Sequence, residues 1–425
     1  MVLVSLLIVD GPKPLDGNGV LDMGHRPSRR SMLPQFTRGS AAPLLVTAIP
    51  LIAGIQGLAG PARAACVGLA YFALLGVIAA RKRLLVPTPI SLLVCFGFVA
   101  AASALASPDP ESTLLRAVAF LALILCAFLA AERTALRQLG SVAFVLLPMS
   151  LSVLALALLA ISPAQVLSAR DGFVQLMLPH LSLHPNTLGA VVAVGVVTAF
   201  GRATAPAARR WVWLAVLAVE IPVLLLTYSR SSLLDVAVGV LVFAYVVGRA
   251  TPLLLGAGVI AVVVVATSGD ALVSLLLRTQ DVGAIVGLSG RRAIWDVALD
   301  AWLSHPIRGV GYGEGAPSVL ESSDIYQSYS VSTTDNFMLD ALIETGPIGA
   351  IMVLGVYVST LLGVRAGRRG LIAGEASRRL GAEFAAVCAM ILVHALGSGG
   401  VGRFHVLAVL LVFSVVGLWR SRGVK

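Results

Sequence analysis

Charged residues are scarce in this chain. Asp, Glu, Lys and Arg make up 12% of its 425 residues, about half the share found in an ordinary soluble domain. Hydrophobic residues make up 58%, which leaves too little polar surface for a soluble particle. The apolar runs suffice for about twelve crossings of a bilayer, and they lack the alternation of a membrane β-barrel. We therefore expect an all-α, polytopic integral membrane protein.

Cysteine is scarce too, and the positions of the four cysteines argue against two further classes of protein. Cys66, Cys95, Cys126 and Cys388 lie in or beside apolar runs, without a CxxC motif or a Cys/His cluster. Neither a disulfide framework nor a zinc site is indicated. The net charge of +10 does not point to nucleic acid, because the cations fall in short connections between apolar runs rather than on one basic face. We expect no metal, no cofactor and no nucleic-acid partner.

The apolar runs predict twelve spans with one long loop between the ninth and the tenth. The spans are residues 41–60, 64–80, 88–106, 113–131, 141–162, 187–200, 211–228, 231–248, 251–267, 336–363, 381–397 and 403–419. The predicted organisation is a tail of residues 1–40, helices 1–9 over 41–267, a loop over 268–335, helices 10–12 over 336–419 and a tail of 420–425. Long loops in compact proteins are often functional, so the loop 268–335 is the expected catalytic segment.

The distribution of cations predicts the orientation. With the N-terminus inside, 22 of the 31 Lys and Arg residues fall on the cytoplasmic side and 9 on the outer side. Positive charge is normally retained inside, and a shift by one span would break the pattern. Both termini are expected in the cytoplasm and the loop 268–335 outside, with the chain in the inner (cytoplasmic) membrane.

One outer arginine stands in a hairpin between two predicted spans. Arg230 follows the sequence Thr-Tyr-Ser, and no acidic residue lies within four positions of it. One interpretation is a guanidinium that snorkels to lipid phosphates. The other is a planar fork of donors presented to a substrate phosphate at the membrane surface.

Two further arginines open a predicted helix within the long loop. Arg291 and Arg292 begin a helical stretch that runs to about Leu303. Arg292 lies four residues before Asp296 on a polar face, where a surface ion pair would explain it. Arg291 shares the opposite stripe with Trp295, and is the better functional candidate. Its alternative is snorkelling from an interfacial helix.

A polar stretch precedes the span at 336–363. Thr334 or Asp335 could simply cap the helix, whereas the functional interpretation makes Asp335 an acid/base group at the mouth of a cavity. Further along, Asp340 and Glu344 share one helical face. Ionisable residues inside a span tend to face a cavity, and a transporter would use them as proton carriers.

Other polar residues complete the candidate site. The glycines of residues 305–313 could bring backbone amides close to an anion, or serve only tight turns. A turn and a helix cap would also explain Pro185 and Asn186 at the start of the span 187–200. The candidate substrate-binding residues are Arg230, Arg291, Arg292, His184, Asn186, Asn336 and Tyr312.

Taken in order, these fragments resemble the O-antigen ligase and polymerase family of bacterial envelope glycosyltransferases. The shared pattern is Thr-x-Ser-Arg at 227–230, Ser-Gly-Arg-x-x-Ile-Trp at 289–295, His-Pro-x-x-Gly-Val-Gly at 305–311 and Asn-x-x-Leu-x-x-Leu-x-Glu-x-Gly at 336–346. Each motif alone is weak, but four in one order are more specific. The resemblance covers residues 184–350 closely.

The resemblance implies a metal-independent membrane glycosyltransferase. Its donor would be an oligosaccharide on undecaprenyl diphosphate, and its acceptor a glycan or lipid-linked glycan at the outer face. Arg230 and Arg291 would hold the diphosphate, and Asp335 would stand where ligases usually have a histidine base. A carboxylate between arginines stays ionised and is a weak base. The alternative is a transporter or a flippase for lipid-linked glycans, which would use ionisable residues within the spans: Asp340, Glu344, Glu220 and Asp235.

Overall fold

The computed structural model describes most of the chain from residue 86 onward. The continuous described segments are 86–170, 173–181, 183–205, 210–248, 291–321, 334–370, 375–398 and 405–422, with Pro43, Val46, Thr47, Gly68 and Gly402 as isolated positions. The predicted spans 41–60, 64–80 and 251–267 lie outside these segments. So do the tail of residues 1–40 and residues 268–290 and 322–333 of the predicted loop.

The described segments are predominantly helical. The helices are α1 (Thr88–Ala102), α2 (Pro110–Arg133), α3 (Leu136–Ser141), α4 (Leu147–Ile161), α5 (Pro185–Ala203), α6 (Arg210–Leu226), α7 (Arg230–Val247), α8 (Arg291–Ser304), α9 (Gly315–Glu321), α10 (Phe337–Gly370), α11 (Glu375–Ser398) and α12 (Val406–Ser421). A π-helical turn, Val142–Leu146, joins α3 to α4 so that they form one long helix.

Helix length and composition fit a bilayer. In the described segments, seven helices are long and apolar enough to cross a membrane, and the apolar α12 is slightly shorter. Each predicted span that falls in these segments coincides with a helix, or with α3 and α4 together. The prediction of an all-α membrane protein is therefore confirmed for the described part of the chain.

Two short strands interrupt the helical pattern. Residues Leu167–Arg170 (β1) and Phe173–Leu176 (β2) pair as an antiparallel hairpin between α4 and α5. Leu176 and Val166 are buried, so the hairpin packs against the helices. We did not predict these strands, because four-residue runs carry too little alternation to stand out beside long apolar helices.

The core lies along α5 and α11. Most of the apolar surface of these two helices is covered by neighbours, whereas α10 leaves much of its apolar surface uncovered. α7 packs against both α5 and α11, and α6 packs against α5. Small residues permit this close packing: at Gly195 the backbone of α5 lies directly against the carboxylate of Glu220 on α6.

The bundle has two ends that carry different chemistry. The first, called the site end below, contains the starts of α5, α7 and α10. At the opposite end, Arg202 on α5 forms an ion pair with Glu383 on α11, at 2.9 Å. The guanidinium of Arg202 also lies over the ring of Trp213 on α6. Arg202 thereby joins α5 to α11 and to α6 at this end.

Candidate functional site

Arg230 is the first residue of α7 and follows the tight turn from α6. Tyr228 adopts a left-handed backbone with φ 48°, and the Ser229 hydroxyl caps the helix by accepting a hydrogen bond from the N–H of Ser232. The local sequence therefore fixes Arg230 at the helix N-terminus. A cation is unfavourable beside the positive end of a helix dipole. Arg230 therefore does not stabilise α7 through the helix dipole. Its position is better explained by a function than by helix stability.

Asp335 lies in a turn held by its neighbours. Its backbone is left-handed, with φ 54°. The N–H and hydroxyl of Thr334 both donate to one oxygen of the Asp340 carboxylate, at 3.1 and 2.7 Å. The side-chain oxygen of Asn336 accepts hydrogen bonds from two N–H groups in the first turn of α10. Asn336, rather than the expected Thr334 or Asp335, is therefore the helix cap. Asp340 supports the turn that presents Asp335.

Helix α8 packs onto this turn through two residues on one face. A guanidinium nitrogen of Arg291 lies 3.7 Å from a carboxylate oxygen of Asp335. The indole N–H of Trp295 donates to the backbone oxygen of Thr334, at 2.9 Å. Residues four apart lie on the same side of a helix, so the two contacts act together. We expected this stripe to face the membrane or the protein, and it faces the protein.

The two arginines also lie near each other. Burial, together with the positive charge of Arg291, lowers the pKa of Arg230, so the two side chains are within electrostatic range. Arg291 and Asp335 are both about three-tenths exposed (27% and 29%). Three segments far apart in the sequence thus bring together two guanidinium groups and one carboxylate. The excess positive charge and the open access suit an anion with several oxygen atoms.

Other sequence-predicted residues lie around this cluster. The backbone oxygen of Asn186 accepts a hydrogen bond from the Ser232 hydroxyl, at 3.3 Å, which places the start of α5 against the first turn of α7. His184 is exposed and precedes α5 as its N-cap residue. Arg292 is exposed beside Arg291. These residues lie at the site end, but they are less closely joined to the cluster than Asp335.

Tyr312 is placed differently from our expectation. Its side chain is 2% exposed, and its hydroxyl donates to the backbone oxygen of Gly402. Its ring packs edge-on against Phe96 and also contacts Phe120. This placement explains Tyr312 by packing and gives no support to the prediction that it binds substrate.

The glycine-rich stretch 305–313 pairs with a break in α10. The helix is interrupted at Gly346, with φ 72° and ψ −170°, and Pro347 has no N–H to offer the carbonyl of Ile343. The N–H groups of Val310 and Gly311 donate instead to the carbonyls of Ile343 and Glu344, at 2.9 and 3.0 Å. These two amides are therefore occupied, and the interpretation that they bind an anion is not supported.

A buried polar pair lies behind the cluster. Nδ1 of His394 on α11 lies 2.7 Å from a carboxylate oxygen of Asp235 on α7, and both side chains are almost fully buried. One turn toward the site end, the hydroxyls of Ser231 and Ser398 form a hydrogen bond. The sequence contained one signal for this pair, an ionisable residue within each of two apolar spans, Asp235 and His394. It could not indicate that the two residues meet.

The fold and the site define a helical membrane protein with two arginines and a carboxylate at one end of its bundle. Residues 213–354 match the family model described as O-Antigen ligase, and this range contains Arg230, Arg291 and Asp335. The match confirms the resemblance to the O-antigen ligase and polymerase family. It supports a membrane function of the ligase or polymerase type. No curated protein matches the chain.

Proposed function

We propose that this protein transfers a glycan from undecaprenyl diphosphate to a glycan or lipid-linked glycan acceptor, at the outer face of the cytoplasmic membrane. The observation that carries the proposal is the approach of Arg230, Arg291 and Asp335. The match to the O-antigen ligase model over residues 213–354 supports the reaction class.

The cluster suits the charges of this reaction. The acceptor hydroxyl oxygen forms a bond to the anomeric carbon, and the bond from that carbon to the diphosphate oxygen breaks. Negative charge grows on the departing diphosphate, where guanidinium groups stabilise it. In this scheme Arg230 and Arg291 bind the diphosphate, and no metal is needed for the charge.

The proton of the acceptor hydroxyl needs a base, and we assign this role to Asp335. A general base contributes about 10²–10⁴-fold to a rate. Asp335 pairs with Arg291 before substrate arrives, so an incoming diphosphate would compete for that guanidinium. Such competition would release the carboxylate toward the acceptor when the donor is bound. His184, Asn186 and Arg292 are proposed as contacts for the glycans around this centre.

The proposed orientation rests on the charge count. With 22 of 31 cations inside, both termini are cytoplasmic and the loop 268–335 is extracytoplasmic. The site end then faces outward, toward the leaflet in which the proposed donor and acceptor would meet. The assignment can be tested with cysteines introduced at exposed Ser304 and at exposed Arg133, which lies at the other end. The test compares how accessible the two cysteines are from outside the cell.

A transporter would draw on ionisable residues within the spans. Asp340 instead binds Thr334 at the mouth of the site, and Asp235 binds His394. These static contacts favour supporting roles over proton transport. Glu220 is buried without a hydrogen-bond partner for either carboxylate oxygen, and it is the residue on which the transporter alternative now mainly depends.

The experiment that tests the proposal is reconstitution of the purified protein with a lipid-linked oligosaccharide. Arg230→Ala and Arg291→Ala should each reduce product formation by about 100-fold or more, as loss of a charge-stabilising donor does in other enzymes. Arg308→Ala is the matched control, because Arg308 is an exposed arginine in the same loop region. It should retain the activity of the unmodified protein.

The products distinguish the two reactions of the family. Longer glycans on the same carrier would identify a polymerase, and transfer to a different acceptor would identify a ligase. Full activity in both arginine variants, with expression intact, would refute the proposed role of the cluster. An equal loss in Arg308→Ala would show that the effect is one of overall charge.

A further inference from the structure

A cavity lies at the opposite end of the bundle. It has a volume of about 350 Å³ and is lined by α1, α10 and α12. Its lining includes Thr360 and Leu362 of α10, Trp419 of α12 and Arg422 just beyond it. From the helix break to Thr360, α10 rises about 20 Å at 1.5 Å per residue. The cavity is therefore separate from the arginine cluster.

Three polar atoms of the cavity-lining residues lack hydrogen-bond partners. They are the hydroxyl oxygen of Thr360, the indole nitrogen of Trp419 and Nε of Arg422, all buried. The last two are N–H donors that cannot accept. Buried donors without an acceptor are costly and rare. Two such groups around one cavity indicate a missing acceptor.

The charge at this point favours an anionic acceptor. The guanidinium of Arg422 donates to the backbone oxygen of Gly363 and lies over the ring of Trp419. These contacts hold its position while leaving Nε unpaired. Burial lowers the pKa of Arg422, because desolvation disfavours the charged form. A neighbouring anion would offset that cost.

Most of the remaining cavity lining is apolar, and the cavity reaches the lipid-facing side of α10. Leu418 and Val415 line its inner wall. Leu362 also lines it and is 59% exposed, next to the exposed Leu361. In a membrane, such exposed leucines contact acyl chains. The cavity thus combines donors for a polar group with an apolar opening toward lipid.

We propose that this cavity binds the phosphate group of an anionic phospholipid. The N–H groups of Trp419 and Arg422 would donate to phosphate oxygens, and the acyl chains would leave across Leu362. A single water molecule fills about 30 Å³, so one water could satisfy the donors but would not fill the cavity. The proposal is independent of the reaction at the other end of the bundle.

The test measures lipid binding to the purified full-length protein in detergent, by native mass spectrometry and by thermal unfolding. Phosphatidylglycerol is titrated, with phosphatidylcholine and soluble glycerol phosphate in parallel. Phosphatidylglycerol should bind and raise the melting temperature most. Arg422→Gln should weaken its binding by about tenfold or more, the size expected for a lost charged hydrogen bond.

Three variants keep the result interpretable. Trp419→Phe retains the ring but removes the N–H, and should weaken binding several-fold without unfolding the protein. Arg422→Lys retains the charge and should bind better than Arg422→Gln. Arg137→Gln removes an exposed cation at the same end, and should bind phosphatidylglycerol like the unmodified protein.

Equal binding of phosphatidylglycerol by the unmodified protein and Arg422→Gln would overturn the proposal. So would glycerol phosphate binding as tightly as the lipid, because the site would then hold a soluble anion. A loss in Arg137→Gln as large as that in Arg422→Gln would show attraction to general surface charge instead.

Discussion

The contact between the glycine-rich loop and the broken helix gives a prediction whose size can be worked out. Gly309 has φ 67°, and a Cβ added there would lie 2.7 Å from the carbonyl carbon and oxygen of Glu344. Gly248 has a similar φ of 72°, with no atom within 4 Å of an added Cβ. Gly309→Ala and Gly248→Ala therefore introduce the same backbone strain, but only Gly309→Ala also introduces a steric clash.

The strain of a left-handed alanine is roughly 1–2 kcal/mol, and it is the whole expected cost of Gly248→Ala. In Gly309→Ala the loop must also move away from α10 until the new Cβ is at van der Waals distance from Glu344. That movement stretches the hydrogen bonds from Val310 and Gly311 to α10, now 2.9 and 3.0 Å, past their useful range. Two lost bonds add about 1 kcal/mol each, so Gly309→Ala should cost about 3–4 kcal/mol.

Thermal unfolding in detergent, followed by tryptophan fluorescence, measures both variants. The drop in melting temperature should be about two to three times larger for Gly309→Ala than for Gly248→Ala. Because the loop supports the half of α10 that carries Asp340, Gly309→Ala should also reduce glycan transfer. Equal drops in melting temperature would refute the claim that the loop is held by backbone contact with α10.

Three further changes probe the supports of the site. Trp295→Phe removes one hydrogen bond to Thr334, worth about 1 kcal/mol. It should lower the rate of glycan transfer about fivefold with little change in melting temperature. An unchanged rate would contradict a positioning role for Trp295. Asp340→Ala leaves the Thr334 donors unpaired and should lower both transfer and melting temperature, which parallel assays would show. His394→Phe and Asp235→Leu should each, alone, destabilise the protein by about 3–5 kcal/mol. The double variant should be destabilised by less than the sum of these two effects. Additive effects in thermal unfolding would argue against a coupled pair.

The membrane helices could be predicted from sequence because their signal is local. An apolar run of sufficient length determines a span such as 113–131, which corresponds to α2. The helix α8 was predicted to end near Leu303 and ends at Ser304, since its apolar stripe repeats with helical spacing. The hairpin of β1 and β2 gave no comparable signal, because its pairing and burial depend on the helices around it.

The site could be predicted only in its parts. Arg291 and Asp335 were both candidates, yet their pairing joins segments more than forty positions apart. Asp340 was considered as a proton carrier, whereas the structure uses it to hold Thr334. Tyr312 was a candidate for substrate binding, but it is buried against aromatic side chains. In each case the chemistry of the residue was visible in the sequence and its neighbours were not.

The break in α10 links two motifs that sequence comparison would treat separately. An interrupted helix leaves carbonyl groups that lipid cannot satisfy, and here the amides of Val310 and Gly311 satisfy two of them. The loop is synthesised before the helix, so its amides already exist when the second half of α10 enters the membrane. Docking of the loop then offsets the cost of placing the two carbonyls in the membrane. A substitution that shifts either motif therefore weakens hydrogen bonds on which both depend.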